Sequence, residues 1–417
     1  MGRDIAFFDT ETAEVTELAS TLREVAETLA PMDRTPCSAG ERDAAVWIAE
    51  RLRAAGVESV VLEDEPSWGL FPPLTTAIGL LGMAGAALAR AGRRGAGVLL
   101  AAASVAALVD EVQNGPRIAR RALRRRRQTV NVLARAGDPH GERTLLVLAH
   151  HDAPQTGVVF DQTLQQRLHE RFPHLLEGRK TQLPQWWMGL AAPLGGLLSA
   201  LTRRRGPATA GMIVGTVGVA LAADIWRSPT VPGANDNLSG VAVLVALAEL
   251  LREERPDGLR VLLVSCGAEE TLQDGIRAFM ARHSDELEPG RTFVLNYDTV
   301  GSRHLMMIEA EGPFWMERYP GESFRDLVAQ CARRCGIDME RGLRARASTD
   351  SVITARAGHP TATLGSLTDW RAPANYHLLT DVPENLDYST IEGAARLAHA
   401  TAMELARAAR SPAGAHG

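Results

Sequence analysis

Five short stretches of this chain carry side chains of the kind that hold hard divalent cations. RTLLVLAHHDAP ends an apolar run in His150, His151 and Asp152. PGANDNLSG places Asp236 directly before a helical pattern, and VLLVSCGAEE ends in Glu269 and Glu270. TFVLNYD ends in Asp298, and NYHLLTDVPENLDY carries Tyr376 and His377. Two His and three carboxylates can build a site for two divalent ions if one carboxylate bridges and each ion takes one His and one further carboxylate. Hard oxygen with imidazole suits Zn²⁺, with Co²⁺ or Mn²⁺ as substitutes. Two such ions roughly 3.5–4 Å apart can share a water, lower its pKa and polarise a carbonyl. A carboxylate that is not a ligand then moves the proton, and the Glu269–Glu270 pair sets a base beside a ligand. Singly, each fragment has an ordinary reading: an Asp before a helix is an N-cap, and a Glu-Glu pair is a solvated one. Together and in this order, they read as one site.

Such a site needs strands that end together. Residues 15–30 and 38–55 read as amphipathic helices, the second opening on the capping-box pattern Ser38-Ala39-Gly40-Glu41. VESVVLE (57–63) reads as a strand. TVNVLARA (129–136) and RTLLVLAH (143–150) read as a strand pair joined by Gly-Asp-Pro. Further strands are expected at 259–265, 292–298 and 304–310, and helices at 238–254, 271–283, 322–335 and 388–409. Short apolar runs alternating with amphipathic helices predict an α/β fold with a mostly parallel central sheet between helical layers. In such sheets function gathers past the carboxyl ends of the strands, where these ligands lie.

Two insertions interrupt the alternation. LTTAIGLLGMAGAALA (74–89) and GAGVLLAAASVAALV (95–109) flank Arg90, Arg93 and Arg94; WMGLAAPLGGLLSAL (187–201) and GPATAGMIVGTVGVALAA (206–223) flank Arg203, Arg204 and Arg205. None of the four runs holds a formal charge, and each is close to the shortest membrane helices. Trp68, Trp186, Trp187 and Trp226 sit at their ends, as interfacial aromatics do, and Gly211 and Gly215 form a GxxxG step. The reading is two inserted apolar helical hairpins that contact membrane lipid, at 66–127 with a basic segment and at 186–226. The catalytic body is then discontinuous, over 1–65, 128–185 and 227–417. The alternative is a pair of hairpins buried within the protein or at a dimer interface. Seven Arg in RIARRALRRRR (117–127), on the side where the first hairpin enters and leaves, point to a membrane-associated chain with its body in the cytoplasm.

The 417 residues carry 45 Lys plus Arg against 50 Asp plus Glu, a net charge of −5 that gives no reason to expect a nucleic-acid partner. Hydrophobic residues at 45% and charged residues at 23% exclude a disordered chain. Four cysteines are too few for a disulfide scaffold; Cys331 and Cys335, four apart, read as two small buried thiols on one helix face. The acidic N-terminal stretch lacks the pattern of a secretory signal, which fits a reducing compartment. The oligomeric state is open.

LLVLAHHDAP, GANDNLSGVAVLVALAELL, LLVSCGAEETLQDGIRAFM, VLNYDTVG and YHLLTDVPENLDY together resemble the co-catalytic di-zinc aminopeptidase family, metallopeptidase family twenty-eight. The resemblance runs from about 129 to 409, apart from the insertion at 155–230. It implies a three-layer zinc-peptidase (phosphorylase/hydrolase-like) fold with two Zn²⁺ per chain and a peptide substrate. It also implies roles: Asp236 bridges the ions, His150 and Asp298 complete one, and Glu270 and His377 complete the other. Asp152 orients His150, and Glu269 is the general base that activates the di-zinc-bridged water. Tyr376 is a hydrogen-bond donor to the oxyanion, His151 is a bystander, and the Asp236–Asn237 step is often cis in the family. The implied activity is that of a metal-dependent exopeptidase, an aminopeptidase. The alternatives are a related zinc acyltransferase of the glutaminyl-cyclase type and a non-catalytic membrane-anchored scaffold. The chain departs from the pattern in the about 83 residues between Asp152 and Asp236, where the family has a short loop, and at Ser348-Thr349-Asp350-Ser351, where a family His is replaced by Ser351.

Overall fold

The computed structural model describes residues 4–181 and 185–410. The chain begins with helices α1 (Asp4–Leu29) and α2 (Ala39–Ala54), strand β1 (Ser59–Ser67), and the apolar helices α3 (Pro72–Arg90) and α4 (Arg94–Val112). A short helix α5 (Ile118–Leu123) leads into β2 (Arg127–Gly137) and β3 (Arg143–His150). After α6 (Thr163–Arg171) come a second apolar pair, α7 (Met188–Thr202) and α8 (Gly206–Arg227), and then α9 (Ser239–Glu253), β4 (Leu259–Cys266), α10 (Asp274–Arg282) and β5 (Thr292–Tyr297). The remainder holds β6 (His304–Glu311), β7 (Glu317–Arg318), α11 (Glu322–Arg334), β8 (Met339–Ala345), α12 (Ser351–Arg356), β9 (Thr361–Leu367) and α13 (Tyr388–Arg410).

The strands form one sheet in the order β1-β2-β4-β3-β5-β9-β6-β7, with β8 also paired to β6. Its centre is parallel: β4, β3, β5 and β9 run the same way, and the Val and Leu of β4, β3 and β5 are buried on both faces. The sheet as a whole is mixed, which corrects the expectation of a mostly parallel one. Antiparallel pairing joins β1 to β2, β2 to β4, β6 to β7 and β6 to β9. The expected pair of 129–136 with 143–150 is also corrected. β4 lies between them, because β2 turns back at Gly137 (φ 68°) and pairs instead with β4, Gly137 opposite Arg260. Each central strand needs two partners, and nearness in sequence does not select them.

Helix α9 is sandwiched against β3, β4, α1 and α13. Taken with the turn before it, over Ala234–Glu253, it is long and apolar enough to cross a membrane, but 89% of that apolar window is buried inside the protein. Its apolarity comes from burial on all sides in the core.

Helices α3, α4 and α8 pass the same test of length and composition with only 50%, 33% and 17% of their windows buried; α7 is shorter. The four pack as a bundle, α3 against α4, α7 and α8, and α7 against α4 and α8. Small residues bring them close. A Cβ on Gly211 would stand 2.4 Å from the Ala191 carbonyl oxygen, and one on Gly85 would stand 2.7 Å from the Ala101 amide nitrogen. The outward faces are apolar, with Leu80, Leu99, Leu198, Leu201, Ile213 and Val217 exposed. Both arginine tips lie at the far end of the bundle from the sheet-bearing body.

Buried ion pairs lock the base of the bundle to the body. Arg117 donates to Asp274 at 2.5 Å, and Arg120 bonds Glu111 at 2.7 Å and the carbonyl of Thr271. Asp274 also accepts from Ser67 Oγ at 2.8 Å and Trp68 N at 3.2 Å. This revises the reading of the basic run at 117–127. Arg117 and Arg120, 2% and 1% exposed, are internal cations, which leaves five arginines there against six exposed ones at the tips. The charge asymmetry that placed the body in the cytoplasm is thereby lost. Cys331 is buried as expected, whereas Cys335, at the end of α11, is exposed.

Candidate metal centre

Strands β4, β3 and β5 are parallel neighbours, so their carboxyl ends lie side by side. His150 is the last residue of β3, Asp298 follows β5, and Glu269 and Glu270 lie in the loop that follows β4. Asp236 stands three residues before α9, and its peptide bond to Asn237 is cis. His377 comes from the loop before α13. The structure brings these residues into one cleft. His150, Asp236 and Asp298 offer ligand atoms within 4.8 Å of one another, and so do Asp236, Glu270 and His377. His150, Glu269 and Glu270 form a third such group, and Asp236 belongs to both of the first two. Its Oδ1 is 3.3 Å from His150 Nε2, and its Oδ2 is 3.1 Å from His377 Nε2. Asp236 Oδ2 and both ring nitrogens of His377 are buried without hydrogen-bond partners.

The charge in this cleft fits cations. Burial, reinforced by neighbouring carboxylates, raises the pKa of Glu269 and Glu270 well above the ordinary range, and it raises Asp298 to about 7. Asp350, whose two oxygens are buried without partners, is raised to about 7 by burial. Burial also works against ionised Asp236, but His150 and His377 outweigh it and lower its pKa. This much negative charge in a dry cleft is costly unless paired or bound to metal. The imidazoles and carboxylates in the two sets that share Asp236 supply the donor types that divalent zinc-like ions take.

Residues outside the ligand set hold the loops. Asp152 is fully buried and accepts from the backbone N–H groups of Glu269 at 3.0 Å and Glu270 at 2.9 Å. Its Oδ1 lies 3.4 Å from His150 Nδ1, so its firmest grip is on the Glu269–Glu270 loop. Gln273 Nε2 donates to Glu269 Oε1 at 2.6 Å and to the Ser348 carbonyl at 2.9 Å. Ala268, Leu272 and Gln273 all have positive φ, a costly backbone that persists because these bonds over-determine it. Asp381, from the Asp-x-Pro-Glu-Asn stretch, accepts from the N–H groups of Asn235 at 2.7 Å and Asp236 at 3.1 Å. Tyr376 lines the cleft and stacks beside His377, ring centroids 4.0 Å apart. His151 points away, its Nδ1 2.9 Å from Ser265 Oγ, and burial lowers its pKa to about 4.

Sequence reasoning missed several positioning residues. Arg34, fully buried, donates to the carbonyls of His151, Pro232 and Gly233 and so ties two ligand loops together. Glu41 does not close the expected capping box. Ser38 Oγ accepts from Glu41 N at 3.1 Å, but the Glu41 carboxylate reaches Cys37 N, Thr129 Oγ1 and Ala268 N. A glutamate that looks like a helix cap thus clamps the loop that carries Glu269 and Glu270. Only its burial could have marked it.

A model of peptidase family M28 matches residues 216–402, the stretch that carries Asp236, Glu269, Glu270, Asp298 and His377. Over that stretch the chain is similar to peptidase family M28. No curated protein matches the chain in sequence. Among solved structures it is similar to LapB from Legionella pneumophila (12% identity, TM-score 0.54, covering 93% of this chain and 72% of that one). It is also similar to an aminopeptidase from Aneurinibacillus sp. strain AM-1 (14%, TM-score 0.52, 92% of each chain). A third is the Bacteroides thetaiotaomicron glutaminyl cyclase bound to N-acetylhistamine (12%, TM-score 0.51, 92% of this chain and 97% of that one). At these identities the likeness establishes a shared fold and nothing finer.

Proposed function

We propose that this chain is a zinc-dependent exopeptidase, an aminopeptidase that hydrolyses the N-terminal amide bond of a peptide. The observation that carries the reading is the pair of ligand groups sharing Asp236, with Glu269 beside them in one cleft. His150, Asp236 and Asp298 would hold one ion, and Asp236, Glu270 and His377 the second. Zinc in this position supplies Lewis acidity, which polarises a carbonyl and makes water a better nucleophile. Glu269 takes the proton of the attacking water and passes it to the leaving amine. Its raised pKa, caused first by burial, suits both the uptake and the return. Gln273 fixes the rotamer of Glu269, and Asp152 fixes its backbone. The Tyr376 hydroxyl donates to the developing oxyanion. The test is a peptide library incubated with the zinc-loaded protein. Release of free N-terminal residues, abolished by chelation and restored by Zn²⁺, is expected. Conversion of N-terminal glutamine to pyroglutamate without hydrolysis would favour a cyclase instead.

The same proposal places the bundle in a membrane, with the body on the cytoplasmic side. At about 1.5 Å per residue the 19 residues of α3 and of α4 span about 28 Å and the 22 of α8 about 33 Å, close to the hydrocarbon thickness. Trp187 and Trp226, about half exposed, stand at the base. The unpaired cysteines agree with a reducing compartment. The protein is expected to sediment with membranes and resist carbonate and salt washes, and exposed Cys335 is expected to escape impermeant maleimide in intact cells. Recovery in the soluble fraction without detergent contradicts the membrane placement, and labelling of Cys335 contradicts the orientation.

A further inference from the structure

The cleft that holds the candidate ligands continues past them as a cavity of about 510 Å³ that reaches between the apolar helices. That is the size of a small-molecule pocket. Its near end is lined by His150, Glu269 and His377, and its far end by Leu108, Met188, Ala192, Gly215, Val219 and Ala222. Helix α8 meets the body at Arg227, and Gly215 stands 227 − 215 = 12 residues away, about 18 Å up the bundle at 1.5 Å per residue. The cavity is therefore long, with charged groups at one end and hydrocarbon at the other.

A peptide does not suit the far end. Backbone N–H and C=O groups need partners, and these walls are apolar. Thr75, the polar side chain among the bundle residues that line the cavity, donates its hydroxyl to the Pro72 carbonyl of its own helix at 3.2 Å. A hydrocarbon chain needs no such partner and gains by leaving water. At the rim, Arg346 lines the same cavity, and its Nε is buried without a hydrogen-bond partner. This cation is placed to meet a carboxylate.

We propose that the substrates of this site are amphiphilic amides: an amino acid or short peptide joined through the scissile amide to a long unbranched hydrocarbon chain. The head lies at the ligand cluster and Arg346, and the chain lies between α3, α4, α7 and α8. Hydrolysis consumes one water. The C–N bond breaks, a C–O bond forms at the carbonyl carbon, and the nitrogen leaves with the proton. The proposal rests on the metal-dependent amide hydrolysis proposed above and narrows its substrate class.

The test uses the zinc-loaded full chain in lipid nanodiscs. Two series are compared, N-acylglycines and leucyl-alkylamides, each from two to fourteen carbons. The kcat/KM is expected to rise about hundredfold from two to twelve carbons in one series, from the added apolar contact. Arg346→Gln is expected to raise KM for the N-acylglycines about tenfold, since the glycine carboxylate meets Arg346. Ala222→Phe is expected to cut the twelve-to-two-carbon ratio about tenfold. Bilayer partition is common to both proteins and cancels in that comparison. Gly218→Leu is the second filling variant, since a Cβ there meets nothing nearer than 3.4 Å. No chain-length dependence in either series, or a ratio untouched by both filling variants, overturns the proposal. Failure of the amide-hydrolysis reading is distinct: no amide of any length is cleaved. Calorimetry with N-dodecanoylglycine against N-acetylglycine then decides the chamber by itself. Binding about hundredfold tighter for the longer chain, and weakened by Ala222→Phe, supports it; equal binding overturns it.

Discussion

Glu269→Gln is expected to lower kcat/KM for amide hydrolysis by about 10²–10⁴-fold while the protein keeps its full metal content. The substitution removes a proton acceptor and almost nothing else. Glu269 stands with His150 and Glu270 in a third group of close ligand atoms, but in neither of the two groups that share Asp236. Its Oε1 accepts from Gln273 Nε2 at 2.6 Å, and the amide oxygen of the variant can accept the same bond, so the strained loop stays in place. At about 1.4 kcal/mol per factor of ten, the loss corresponds to about 3–5 kcal/mol of transition-state stabilisation. Steady-state kinetics and elemental analysis of the same preparation check both halves. A variant as fast as the wild type would remove Glu269 from the proton path. A variant that loses its metal would make Glu269 a ligand.

Asp274→Ala is expected to destabilise the folded protein by about 3–5 kcal/mol, the cost of stranding a buried cation. Asp274 is 1% exposed in its side chain, and it pairs with Arg117 at 2.5 Å and with Arg120 at 3.4 Å. It also accepts from Ser67 and Trp68, where the chain leaves β1 for the bundle. Glu111 remains to compensate Arg120, so Arg117 is the cation left without a carboxylate. A paired change, Arg117→Met with Asp274→Leu, is therefore expected to cost less than Asp274→Ala alone. Denaturant unfolding in one detergent, zinc-loaded in every case, measures all three proteins. A loss within about 0.5 kcal/mol for Asp274→Ala, as for a surface change, would show that the network does not hold the bundle base to the body.

These two positions mark what was legible in the sequence. Glu269 could be read because the chemistry demands a carboxylate beside a ligand at a strand end, and an apolar run of the right length located that end. Asp274 could not, because its partners Arg117 and Arg120 sit in an arginine run that looks solvated or membrane-facing. A run of like charges shows nothing of which members turn inward. The central strands β3, β4 and β5 were legible from their Val and Leu runs. β9 was not, although it lies within the same sheet: TATLGSL carries Thr361, Thr363 and Ser366, all buried, and lacks a run of Val and Leu. Strand order escaped for the same reason that β2 and β3 seemed paired, since pairing is chosen by the assembled sheet. Glu41 and Arg34 show a further limit. Each is a charged residue near the N-terminus that serves a loop more than 100 residues away, and nothing local marks that service.

The apolar helices show the opposite case, in which composition said too much. The segment Ala234–Glu253, which contains α9, and α8 pass the same length and hydropathy test, yet one is 89% buried in the core and the other 17% buried at the rim of a bundle. What separates them is what covers them, which only the packing reveals. The four-helix bundle also gives the cleft a second, apolar end that no motif announced.

The central claim is that two groups of ligands sharing Asp236 hold two ions and that hydrolysis depends on both. Zinc titration of the metal-stripped protein, with ions bound per chain and release of an N-terminal residue followed in the same sample, tests it most directly. Two zinc ions per chain, with hydrolysis reaching its full rate only as the second is bound, is the predicted result. Saturation at one ion, or full activity in the stripped protein, would contradict it.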